Sequence, residues 1–254
     1  MMFRMFSAAL AAGAMAAVLI AGLQAIITMP IILEAETYEN AAPSHDHGEV
    51  QPAPVASHDH EEGQGEHDHD APAAVSPEEE ASHHDGEWMP EDGLERMLYT
   101  LLANAGAGIG FSLLIVVGLS FHPAQVSGQR GVMWGVAGFA VFTLSPALGL
   151  PPGAPGMLTP DERTAQTWWF VTVLCSAGGL ACLVFGKNMA LKALGPVLFA
   201  LPHFWGAPML LGGESRLPPD LAARFAASSI VLSAVFWAVM GYFSGAYYAR
   251  FGDK

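Results

Sequence analysis

Lysine, arginine, aspartate and glutamate are so unevenly placed in this 254-residue chain that six long stretches contain none of them. These are Met5–Leu33, Met97–Gln129, Gly131–Pro160, Thr164–Gly186, Ala193–Gly213 and Phe225–Ala249. Each exceeds the roughly 20 apolar residues that carry a helix across about 30 Å of hydrocarbon. A soluble helix must turn one face to water and rarely needs such a run. The pattern predicts an all-α integral membrane protein built as a bundle of six transmembrane helices. A composition that is 52% hydrophobic and 13% charged agrees with it.

Two of the six stretches are interrupted. The third must stop near Pro151–Pro152, which leaves Gly131 to Leu150 to cross. The fifth holds Pro196, Pro202 and Pro208. Proline removes a helix hydrogen bond and clashes with the preceding turn, so a bent or broken helix is expected there, and five spans remain if it does not cross. The Ala-rich run after Arg4 also fits a secretory signal peptide. Such peptides have apolar regions of about 7–15 residues, and this run is roughly twice that, so a retained helix is expected. The chain then divides into a first transmembrane helix (1–33), an acidic His-rich extracytoplasmic loop (34–96) and a membrane bundle of four to five helices (97–254).

Basic residues orient such a bundle. With the N-terminus inside, Arg4, Arg130, Lys187, Lys192, Arg250 and Lys254 face the cytoplasm, and Arg96, Arg163, Arg216 and Arg224 face outward. Both termini are then cytoplasmic and the His-rich loop is periplasmic. Cys175 and Cys182 lie seven residues apart on one expected helix, about two turns, too far for a mutual disulfide, and read as packing residues. Gly106–Gly110, Gly131–Gly135 and Gly241–Gly245 have the four-residue spacing that lets membrane helices approach closely.

The formal charge of -14 belongs to one insert. Nineteen of the 24 acidic residues lie between Glu34 and Glu95, with no basic residue among them, and eight of the ten histidines lie between His45 and His84. Between Asn40 and Glu87 aromatic and most aliphatic side chains are missing, so the segment lacks apolar surface to offset ordering entropy, and a disordered loop is expected. Within it an imperfect unit recurs as "SHDHGE", "SHDHEE", "EHDHDA" and "SHHDGE". These units supply His45, His47, His58, His60, His67, His69, His83 and His84 as candidate metal ligands. Neutral imidazole beside carboxylate suits borderline divalent ions, whereas a plain acidic spacer would not need the histidines. A flexible array imposes no geometry, so it gathers ions without choosing among cobalt, nickel and zinc. Imidazole must be deprotonated to coordinate, so capture should fail below about pH 6.

At membrane depth His203, in "ALPHFWGAP", sits at the midpoint of the fifth stretch, where flanking prolines free backbone carbonyls. It reads either as a ligand on a permeation path or as a histidine bonded to a carbonyl it helped expose. His122 falls near the cytoplasmic end of the second span and fits a helix-end histidine or a metal ligand. Glu34 and Glu36, where the first helix emerges, fit a cation relay or ordinary charges ending a span. No Walker loop, nucleophile elbow or HExxH occurs, and no pair of titratable groups converges within the spans, so an enzyme is not expected.

Several ordered segments resemble the CbtA-type cobalt transporter subunits. They are "PIILEAETYE" after the first helix, "WMPEDGLERMLYT" before the second, "SPALGLPPGAPG" after the third, "QTWWF" entering the fourth and "PHFWGAP" in the fifth. The resemblance covers about residues 1–40 and 87–254. It implies a bacterial inner-membrane protein for cobalt uptake linked to cobalamin supply, with five membrane helices and a small single-span CbtB-type partner carrying a histidine-rich end. By motif position it points to Glu34, Glu36, His122, Trp168 and His203.

The expected function is a transporter subunit importing a divalent transition metal, with cobalt as cargo, nickel and zinc as alternatives, and no permanently bound cofactor. A lipid bilayer and the metal ion are the expected partners, and nucleic acid is not. Two rivals stand beside it: a non-conducting metal-binding accessory or sensor, and a metal exporter.

Overall fold

The computed structural model describes residues 2–40, 93–121, 126–208 and 215–251, which all belong to one compact unit. Every regular element among them is helical. In chain order these are α1 (Met2–Ile27), α2 (Met29–Asn40), α3 (Leu94–Ser120), α4 (Gly128–Phe139), a π-helical turn (Ala140–Leu144), α5 (Ser145–Ala147), α6 (Glu162–Phe185), α7 (Met189–Trp205) and α8 (Pro219–Arg250). Helices α1, α3, α6 and α8 are long and apolar enough to cross a membrane, and α7 is a shorter apolar helix of 17 residues.

The helix starts are written in local chemistry. Ser127, Asp161 and Asn188 each accept a hydrogen bond from the backbone N–H three residues on, at Arg130, Thr164 and Leu191, satisfying donors that a first turn leaves unpaired. The first helix does not stop at residue 33. Thr28 N–H donates to the Gln24 carbonyl at 3.0 Å and Ile32 N–H to the Thr28 carbonyl at 2.9 Å. The ladder thus runs through Pro30, whose missing N–H interrupts it only locally, and α2 carries the same helix to Asn40. Residues 2–40 together make a rod about 58 Å long, well beyond the bilayer core.

Large apolar side chains point outward: Leu102 is 67% exposed, Leu174 71% and Val184 62%. In water such faces would aggregate, whereas lipid solvates them. Lipid supplies no hydrophobic drive between helices, so close backbone packing must hold the bundle. Small residues provide it. Ala8, Ala9, Ala12, Gly13, Ala16 and Ala17 form the buried stripe of α1. A Cβ on Gly13 would collide with the backbone of Gly108 and Ile109, and one on Gly131 with the Gly241 carbonyl. The Gly131–Gly135 and Gly241–Gly245 pairs therefore form the α4–α8 crossing. Gly106 and Gly110 face open space, and Gly108 between them makes the α3 contact instead.

Helices α6 and α7 pack as a hairpin through Gly179 and Gly195. The Ser145 and Ser176 hydroxyls, 2.6 Å apart and buried, tie α6 to α5. At one end of the bundle the Arg4 guanidinium donates to the Tyr248 carbonyl at 2.8 and 3.2 Å and lies over the Tyr248 ring, joining the start of α1 to the end of α8. Beyond the other end of α1, Ile31 and Ala35 of α2 pack with Ala154, Leu217 and Leu221 in a second small core.

Helix α7 is not broken at its prolines. It continues through Pro196 and Pro202 and ends at Gly206, whose φ of 93° is open to glycine and strained for other residues. Cys175 and Cys182 are free thiols, half-buried on α6.

Candidate functional site

One group of polar side chains inside the bundle lies around the α1–α2 junction. Asn104 on α3 donates through Nδ2 to Oε1 of Gln24 on α1 at 2.6 Å. Thr28, between α1 and α2, returns its hydroxyl to the Gln24 carbonyl at 3.1 Å, the local back-bond of a helical turn. With Ser229 and Ser233 of α8, these residues line a cavity of about 280 Å3 whose remaining walls include Phe225, Leu232 and Phe236. Asn104 lies eight residues after Arg96, about 12 Å farther along α3.

From the cavity a short hydroxyl chain leads inward. Ser233 and Thr143 share a hydrogen bond at 3.0 Å, and Trp237 Nε1 donates to Thr143 Oγ1 at 3.2 Å. Thr143 sits on the π-helical turn, where Ser145 N–H reaches back five residues to the Ala140 carbonyl. Such an extra residue in a helix turn recurs at functional sites. Below the chain the aromatic rings of Phe111, Phe142 and Trp237 close on one another, with centroid separations of 4.7 to 5.6 Å.

On α2, Glu34 is exposed and Glu36 half-buried. Glu36 Oε1 accepts from Arg96 Nη1 at 2.7 Å, with the two side chains 24% and 17% exposed. The carboxylate proposed as a relay therefore already holds a cation, the guanidinium at the start of α3. Partly exposed pairs of this kind contribute about 0.2–1 kcal/mol. A double-mutant cycle of Glu36→Gln and Arg96→Met, followed by thermal unfolding in detergent, should return a coupling of about 1 kcal/mol or less. Several kcal/mol would make the pair a structural clamp rather than an exchangeable contact.

His203 lies in the last turn of α7, not midway along a broken helix, and is half-buried. Its ring meets the edge of Trp168 on α6 at 5.9 Å and 71°. Trp168 is 8% exposed and its Nε1 has no hydrogen-bond partner among the described residues. His203 is thus remote in sequence and in elements from the Gln24–Asn104 cavity, which α1, α2, α3 and α8 enclose. His122 and the eight histidines from His45 to His84 lie outside the described residues. Among the described residues no three His, Cys, Asp or Glu side chains converge as a metal cluster.

The sequence reading missed Gln24, Asn104, Ser229 and Ser233 because it marked only charged residues and histidine. An amide within each of the first two charge-free stretches was the available signal. A larger cavity, about 510 Å3, opens among α3, α4 and α6 beside Met133, Trp134 and Val184, with Arg130 on its wall. Its apolar lining suits an acyl chain or another helix rather than an ion.

The family described as "Probable cobalt transporter subunit (CbtA)" matches residues 2–249. No curated protein and no solved structure matches the chain.

Proposed function

Since this chain belongs to the family of probable cobalt transporter subunits (CbtA), we propose that it is the membrane subunit through which cobalt is imported, linked to cobalamin supply. Its membership and its long apolar helices make it a multi-pass membrane protein, and a subunit implies partners. The observation that carries the proposal is that α2 follows α1 across a single turn residue, with backbone hydrogen bonds bridging the junction from Met2 to Asn40. One rod lines the polar cavity with Gln24 and Thr28, presents Glu34 and Glu36 farther out, and leads directly into the His-rich segment.

In this reading the histidines from His45 to His84 collect the divalent cation outside the cell. Glu34 and Glu36 stand at the mouth of the bundle, with Glu36 exchanging Arg96 for the arriving ion. His203 is a weaker, separate candidate, since its ring contact is with Trp168 and it does not line the cavity. His122, outside the described residues, is kept as a candidate on its sequence position alone. Cobalt is the cargo, and nickel and zinc are the ions that would compete for the same imidazoles. The location is the bacterial inner membrane, with the histidines periplasmic and a single-span histidine-bearing subunit as partner.

Six spans are favoured over five by parity. Arg4 holds the start of α1 against the end of α8, which supports an even number of crossings. The stretch 128–147, about 30 Å as one helix, and α7, about 25 Å, supply the two crossings beyond the four long helices.

Labelled cobalt accumulation in cells stripped of other importers tests the proposal. Expression with the single-span partner should raise accumulation severalfold over empty cells. Equal accumulation would eliminate import and leave the non-conducting accessory or sensor reading, and net loss of label would favour export.

A further inference from the structure

We infer that the cavity formed by Gln24, Thr28, Asn104, Ser229 and Ser233 is a binding site for a hydrated divalent cation, held by uncharged oxygens. The inference deepens the transport reading and rests on it for the identity of the cargo. The cavity's volume is the first support. A divalent ion with six waters at about 30 Å3 each needs roughly 180 Å3, and about 280 Å3 is present.

The donor set is the second support. The Asn104–Gln24 bond uses one oxygen and one nitrogen of the two amides, and no other side-chain hydrogen bond engages either amide among the described residues. The Ser229 hydroxyl is likewise without a partner there, although it lines the same cavity. Polar groups left unspent in a hydrocarbon-embedded bundle are costly unless water or an ion completes them. Neutral amide and hydroxyl oxygens bind a divalent ion weakly and through its waters, which permits release. They also do not titrate, so this site keeps working at a pH where imidazole is protonated. The Phe111, Phe142 and Trp237 rings pack together next to the Ser233–Thr143–Trp237 hydrogen-bond chain that leaves the cavity.

The pH difference gives the test. Cobalt binding to the full-length purified protein is measured at pH 7.5 and 5.5, with magnesium as a second probe. At pH 5.5 the histidines no longer coordinate while the insert's carboxylates still attract cations. The cavity's share is therefore the part of the remaining binding that depends on Asn104, and it should accept magnesium as well as cobalt. Asn104→Leu should weaken that remaining binding at least tenfold, leaving the array's binding at pH 7.5 unchanged. Asn104→Asp places a carboxylate in the same position and should tighten cobalt binding tenfold or more while slowing its release. A merely structural amide pair would not gain affinity in this way.

Wild-type binding by Asn104→Leu, or no gain with Asn104→Asp, would overturn the site. Binding that depends on Asn104 in a protein that moves no cobalt across the membrane would support the site while refuting the transport reading.

Discussion

Replacing Gly241 with valine is expected to destroy the folded bundle, with little or no monodisperse protein recovered in detergent. The Cβ at this position would overlap the Gly131 carbonyl oxygen and stand 3.1 Å from both its carbon and the Gly135 Cα. These are backbone atoms of α4, so nothing can rotate aside, and relief requires the two helices to part. Overpacking a core typically costs about 1–3 kcal/mol, and contact with rigid backbone on this scale belongs at or beyond the upper end. The loss also propagates. Trp237 and Met240, on the same stretch of α8, anchor the central core with Ala8, Ala16 and Val116. Gly106→Ala and Gly110→Ala provide the control. An added Cβ there meets nothing within 4 Å, and alanine is the better helix former by up to about 1 kcal/mol. Thermal unfolding of the three variants side by side checks the contrast. Equal stability would mean that the α4–α8 crossing is not the close contact described.

Deleting residues 43–86 should raise the external cobalt concentration needed for half-maximal uptake by about tenfold at low salt. The deletion removes all eight clustered histidines and half of the 24 acidic residues, while leaving Glu34, Glu36 and Arg96 in place. Fields from concentrated charge raise local counter-ion levels by about 10–1000-fold, and screening cuts this off within roughly 3 Å at 1 M salt. The defect should therefore shrink as salt rises. It should also shrink at pH 5.5, where protonated imidazoles no longer coordinate and their positive charge offsets part of the field of the carboxylates. Maximal rate should be unchanged, because the bundle itself is intact. Superimposable uptake curves at pH 7.5 would remove the collecting role from the insert.

The two results concern features of different legibility. Membrane stretches could be located by marking charges, because four of them became long apolar helices and the fifth became α7. Helix starts were equally open to reading, since Ser127, Asp161 and Asn188 cap locally. Glycine spacing identified the α4–α8 crossing but misassigned the α3 contact. Spacing says which residues share a face, not which face meets a neighbour. His203 was misplaced for a related reason: three prolines suggested a break in mid-helix, but the helix passes two of them and ends at Gly206.

What the sequence determined alone was the solvent of each segment. Transfer between water and hydrocarbon is a property of residue composition, so charge-free runs and the acidic, histidine-rich insert declare themselves without a fold. Rotation of each helix about its own axis was decided only by tertiary packing. In water an amphipathic pattern reveals the inward face, but a lipid-facing side is as apolar as the core, and that signal disappears. Hence the pairing of Gln24 with Asn104 across 80 residues, of Glu36 with Arg96 across 60, and of Arg4 with Tyr248 across the whole chain emerged from packing. The polar cavity exists because those rotations turn otherwise isolated polar groups toward one another.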